Sequence, residues 1–162
     1  ELMVNGQSKG IKNLADFSDR ILKWAVPYTS GTVVAKGLGD CKTQDQLQTA
    51  ENASQINLHV DRQVLPADGY GVAHIELQMQ DNQGKPVVLD EQTIQFEITG
   101  PVTVLGVDNG APDSLQPYQA QQVTTAKGRA LLLLQSTLTP GEVTVTASGS
   151  GVKAASLHLT IK

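Results

Sequence analysis

The sequence predicts an all-β protein: two immunoglobulin-like β-sandwich domains, the first incomplete at its N-terminus. Three observations carry this. Apolar and polar residues alternate through short segments such as Ala73-His74-Ile75-Glu76-Leu77-Gln78-Met79, which turns one face to a core and the other to water. Turn signals recur at intervals of about ten residues, the rhythm of a sandwich. Hydrophobic residues make up 40% of the chain but aromatics only 4%, with 15 glycines, a mix that suits short strands joined by turns.

Glu1 to Lys12 reads as a hairpin, with Leu2 and Val4 on one face and Asn5-Gly6 as its two-residue turn. Asp16 to Lys23 is ambiguous: Phe17 and Ile21 have helical spacing, while Leu22, Trp24 and Val26 alternate as a strand does. Pro27 favours the strand, because the residue before proline avoids the helical region. The single tryptophan, Trp24, then sits on an apolar face and reads as a core anchor rather than a sugar-stacking platform. Strands are expected over Thr32 to Lys36 and Gln44 to Thr49.

From Ala50 to Ser54 the pattern loosens into small and polar residues. A boundary there gives domains 1–52 and 53–162. The first is too short to bury much surface by itself, so it is expected to be a truncated sandwich. In the second, Ile56, Leu58 and Val60 open a strand, and Ala73 to Met79 is the next. Asp81-Asn82-Gln83-Gly84 turns the chain, Ile94, Phe96 and Ile98 continue the core, and Gly100-Pro101 breaks it before Val102 to Val107. Further strands are expected at about Gln119 to Thr125, at Ala130 to Leu134 as a more fully buried run, at Val143 to Ala147 and at Ala155 to Ile161.

The chain has 12 basic and 16 acidic residues, net charge −4, and no basic cluster, so nucleic acid is not an expected partner. Its longest apolar run, Ala130 to Leu134, is far below the roughly 20 residues of a membrane span. Cys41 is the only cysteine, which excludes an internal disulfide and a cysteine-based zinc cluster. The start, Glu1-Leu2-Met3-Val4, reads as the middle of a strand and suggests a piece of something longer. Asn52-Ala53-Ser54 matches the glycosylation pattern at a level that chance supplies.

His59, His74 and His158 fall on the polar phase of strands, with no ligand spacing among them, so neither metal nor cofactor is expected. Asp90-Glu91 reads as the cap of an exposed loop. The most shaped stretch is Gly106-Val107-Asp108-Asn109-Gly110-Ala111-Pro112-Asp113-Ser114, which combines an Asn-Gly turn, two carboxylates and a proline. Its candidate ligand-binding residues are Asp108, Asn109, Asp113 and Tyr118. Calcium takes six to eight oxygens, more than this loop offers, and side chains bonded to their own backbone are the competing reading. No catalytic residue is assigned.

Three stretches carry a resemblance: Val4-Asn5-Gly6-Gln7-Ser8-Lys9-Gly10 followed by Leu22-Lys23-Trp24-Ala25-Val26-Pro27-Tyr28; Ala67-Asp68-Gly69 before a strand; and Gly106-Val107-Asp108-Asn109-Gly110 leading into the Pro112 loop. In this order the chain resembles the C-terminal part of bacterial glycoside hydrolase family 2 enzymes of the β-galactosidase type. The resemblance implies that the catalytic acid/base and nucleophile lie in a barrel outside this chain. It also implies an accessory role, packing against that barrel, and a periplasmic or extracellular location. Carbohydrate binding through Asp108 to Ser114 is the alternative, with an adhesin-like immunoglobulin domain a third, resting on fold analogy alone. With upstream strands missing, the edge near Leu2 and Val4 is expected to be open and to self-associate.

Overall fold

The computed structural model describes residues 1–40 and 42–162. Cys41 lies outside the described residues. The chain forms two compact units, Glu1–Thr49 and Ala50–Lys162, and apart from one short 3-10 turn it is built of strands.

The first unit is one four-stranded antiparallel sheet. Its strands are β1 (Leu2–Val4), β2 (Gln7–Ser8), β3 (Thr32–Lys36) and β4 (Gln44–Gln48), in the order β2-β1-β3-β4. Asn5 and Gly6 close the hairpin with φ of 49° and 77°, the mirror-image turn that matches strand twist. Asn5 also ties the hairpin to β3: its Oδ1 accepts from Thr32 N at 2.8 Å, and its Nδ2 donates to the Ser30 carbonyl at 3.0 Å. The contact is so close that a Cβ on Gly31 would lie 2.0 Å from Asn5 Oδ1.

Two expectations fail in this unit. The edge is not at Leu2 and Val4, because β1 pairs with β2 on one side and β3 on the other, and Val4 is buried. The outer strands of this sheet are β2 and β4. Nor do Leu22 to Val26 form a strand, although Leu22, Trp24 and Val26 are half-buried on alternate positions as that pattern requires. The segment has no ladder, and side chains hold it instead. Lys12 Nζ stands 5.4 Å from the ring centres of both Phe17 and Trp24 and donates to the Lys23 carbonyl. Val4 is the one buried residue among the described residues of this unit. A single buried side chain contributes about 1.5–3 kcal/mol, against about 1–2 kcal/mol of backbone entropy for each residue ordered. The sheet therefore lacks a core of its own.

The second unit is a complete sandwich. One sheet runs β5-β7-β11-β9, from β5 (Gln55–Val60), β7 (Val72–Gln80), β11 (Arg129–Ser136) and β9 (Val102–Asp108). The other runs β10-β8-β12-β13-β6, from β10 (Gln122–Thr124), β8 (Thr93–Thr99), β12 (Gly141–Ser148), β13 (Ala155–Ile161) and β6 (Val64–Leu65). Between them lie Ile75, Leu77, Met79, Ile94, Leu132, Leu134, Val143, Val145, Leu159 and Ile161, all essentially excluded from water. The antiparallel order β10-β8-β12-β13 repeats the order β2-β1-β3-β4 of the first unit, a likeness the two sequences do not display.

Ala130 to Leu134 departs from the expected buried run. Ala130, Leu132 and Leu134 face the core, while Leu131 and Leu133 are half-buried on the outer face. The sheet is one layer of two, so only alternate positions reach the core. Strand β10 is shorter than the expected Gln119 to Thr125, because the approach to it is used as a strap, described below. The parallel strand β6 has no signature in the sequence; it arises where the chain leaves β5 and crosses to the opposite sheet to pair with β13. Asp61 fixes that crossover. Its Oδ1 accepts from His74 N at 2.8 Å, and its Oδ2 meets His74 Nδ1 at 2.9 Å. Desolvation pushes the Asp61 carboxyl up, but the bonds from His74 and the charges of His74 and Arg62 outweigh it and hold it below the usual carboxylate value.

Candidate functional site

Strand β9 ends at Asp108, and the chain then forms a strap over Asn109 to Gln121 before entering β10. The side chains of Asp108 and Asn109 are bonded to the chain's own backbone. Asp108 Oδ1 accepts from the Asn109 amide at 2.8 Å. Asn109 Oδ1 accepts from Ala111 N at 3.0 Å, and its Nδ2 donates to the Thr124 carbonyl at 2.9 Å. Gly110, with φ of 72°, supplies the left-handed step between them. Ser114 N then bonds the Ala111 carbonyl at 3.1 Å and closes the turn.

Of the four candidate residues, the fold brings Asp108 and Asn109 into one bonded turn. Asp113 is exposed, with no hydrogen bond from its carboxylate among the described residues. Tyr118 contributes its backbone rather than its ring: its carbonyl accepts from Val107 N at 2.7 Å and seals the edge of β9, while the side chain stays 66% exposed. Gln116, which has no signal in the sequence, is the residue that locks the strap down. Its side chain donates to the Thr124 carbonyl at 3.2 Å and accepts from the Thr124 amide.

A second feature joins residues far apart in the chain. A cleft of about 800 Å³ opens beside the β5-to-β6 crossover, lined by the polar residues His59, Asp61, Gln63, His158 and Thr160 together with Leu58 and Leu157. Most of its polar groups are engaged. Asp61 is bonded to His74, His158 Nδ1 meets Thr144 Oγ1 at 3.1 Å, and Thr160 Oγ1 donates to Glu142 at 3.1 Å. All three histidines are exposed, and no group of three or more His, Cys, Asp or Glu suited to a metal occurs among the described residues.

Glycoside cleavage needs two carboxyl groups facing each other across the bond. The cleft offers one carboxylate, already bonded to His74, and the strap offers Asp108, bonded to its neighbour, and Asp113, open to solvent. The geometry of this chain is that of turns and edges.

Residues 56–158 match the family described as glycoside hydrolase family 2 C-terminal domain 5, and residues 1–43 match a domain of unknown function. A β-galactosidase of Bacteroides ovatus is 29% identical over 99% of this chain, which corresponds to 19% of the relative. Among solved structures, a family 2 glycosyl hydrolase of Bacteroides cellulosilyticus superposes with a TM-score of 0.88 at 32% identity, covering 99% of this chain and 21% of that one. A β-glycosidase of Bacteroides vulgatus superposes with a TM-score of 0.82 at 30% identity, covering 98% of this chain and 20% of that one. The chain thus spans about a fifth of the length of these relatives. With its second unit matched almost from end to end, the chain belongs to the glycoside hydrolase family 2 C-terminal domain 5 family.

Proposed function

We propose that this chain serves as the non-catalytic C-terminal accessory part of a family 2 glycoside hydrolase of the β-galactosidase type, packing against the catalytic barrel of that enzyme. The observation that carries this reading is the first unit. It matches relatives along its length, yet buries only Val4 among its described residues, so its sheet gains stability by laying a face against another layer. The carboxylates of the second unit support the non-catalytic half of the reading, being tied into turns or turned to solvent. The purified chain is expected to release no nitrophenol from nitrophenyl galactosides. Turnover that survives repurification and co-elutes with the protein would refute the reading.

Oligosaccharide binding through the Asp108 to Ser114 loop is the second reading, favoured by the exposed Tyr118 ring and an Asp113 carboxylate without an internal partner among the described residues. It predicts saturable binding in a calorimetric titration that Tyr118→Ala abolishes; flat titrations remove it.

A further inference from the structure

The two outer faces of the second unit differ in kind. Over β10-β8-β12-β13 the outward side chains pair with one another across the strands. Thr93 Oγ1 lies 3.0 Å from Thr124 Oγ1, Thr146 Oγ1 lies 2.9 Å from Ser156 Oγ, and Thr144 Oγ1 lies 3.1 Å from His158 Nδ1. Thr160 Oγ1 donates to Glu142 at 3.1 Å, and the Gln95 amide donates to Gln122. Such a face is suited to water. The face of β5-β7-β11-β9 is built otherwise. Leu131 and Leu133 stand outward on it, half-buried. In β9 the register shifts, so that Gly106 opposes Leu133 and Val104 opposes Leu134. This bulge leaves Leu105 on the outer side, 38% exposed. A Cβ on Gly106 would lie 3.8 Å from Tyr118 Cβ, so Tyr118 stands at the margin of the leucine strip. Glu76, opposite Leu131, is exposed, and its carboxylate has no hydrogen bond or ion pair among the described residues.

We infer that the outer face of β5-β7-β11-β9 is the surface by which this chain docks on the catalytic part of its enzyme, with Leu105, Leu131 and Leu133 at the centre of the contact and a lysine or arginine of the catalytic part set against Glu76. The inference rests on the accessory reading above and names the face that serves it. The length of the relatives sets the occupant: the match covers 19% of one and 21% of another, so most of each lies outside it. Leucines at the centre with polar groups around them are the anatomy of an interface, and an exposed tyrosine at the margin fits the same pattern. Glu76 adds the charge requirement. A carboxylate carried into a contact loses its water and needs an opposite charge in return. Because both parts share one polypeptide, the contact is intramolecular, and a small face is sufficient to hold it.

Hydroxyl-radical footprinting of the long polypeptide purified from its native cells, beside this chain alone, tests the inference. Oxidation of Leu105, Leu131 and Leu133 is expected in this chain and is expected to be lost in the long polypeptide, while His158 on the polar face is oxidised equally in both. Leu131→Lys separates docking from folding. It sets a cation opposite Glu76, a favourable cross-strand pair, so this chain alone should keep its thermal midpoint. Introduced into the long polypeptide, the same lysine enters the contact, and oxidation of Leu133 should return. Ser156→Lys on the other face is the control and should leave the footprint unchanged. Equal oxidation of Leu131 and Leu133 in the two wild-type proteins, or protection of Leu133 that persists in Leu131→Lys, would overturn the docking face and leave the accessory role standing. A native polypeptide of only 17.2 kDa would remove both.

Discussion

Gly128→Ala should lower the Tm of the second unit by on the order of 10 °C, corresponding to a loss of about 3 kcal/mol or more. Lys127 and Gly128, with φ of 51° and 69°, form the two-residue turn that leads into β11, closed by reciprocal 3.0 Å bonds between Ala126 and Arg129. The turn is tucked under the end of β7. The Gly128 carbonyl accepts from Met79 N at 2.8 Å, and its amide donates to the Asp90 carbonyl at 3.1 Å. A Cβ there would stand 1.8 Å from the Val87 carbonyl oxygen, a backbone atom that cannot step aside without breaking its own packing. Gly110 is the control. Its φ is 72° but a Cβ would meet nothing within 4 Å, so Gly110→Ala should cost only the left-handed strain, about 1 kcal/mol. Thermal unfolding of the two variants side by side checks this, and equal shifts would show that close approach at Gly128 does not matter.

Asp81→Asn should also lower the Tm by several degrees, and the gap should depend on pH. Asp81 is fully buried at the end of β7. Its carboxylate accepts from the amides of Glu51, Gln83 and Lys85 at 2.9–3.0 Å, and so joins the first residues of the unit to the turn after β7. The Glu51 amide bond is the largest influence holding its carboxyl below the usual value of 3.8, with the bonds from Lys85 and Gln83 and the Lys85 charge adding to it against desolvation. A depressed native pKa contributes stability that is full above the unfolded value, near 4, and is lost as pH falls through the native one. Asparagine keeps one acceptor and turns an amide toward the Glu51 N–H. The Tm difference between the two proteins should therefore be constant at neutral pH and close below about pH 4; a gap that stays constant into that range would contradict the role of the charge.

What was legible in the sequence is what local rules determine. Period-two alternation marks β5, β7, β8, β12 and β13, because each presents one face to a continuous core. Asn5-Gly6 and Asp81 to Gly84 mark their turns, because positive φ and side-chain capping demand those residue types. Where pairing depends on distant partners, the signal disappears. Leu22 to Val26 has strand alternation without a strand, since no neighbouring backbone takes its hydrogen bonds. Leu2 and Val4 lie inside the sheet rather than on its edge, because β3 returns from far along the chain to flank β1. Strand β6 is two residues long and has no periodicity to read. In the strap, Asp108 and Asn109 were visible as turn chemistry, but Gln116 is one polar residue among many until Thr124 is placed beside it. His59 and His158 line one cleft only because β13 comes beside β5 of the opposite sheet.

The accessory reading is tested most directly by the size and activity of the polypeptide in its native cells. An antibody raised against this chain should capture a polypeptide about five times its length, given that the chain spans about a fifth of its relatives. That material should hydrolyse a nitrophenyl galactoside. Capture of a 17.2 kDa protein with no associated hydrolysis would contradict the account.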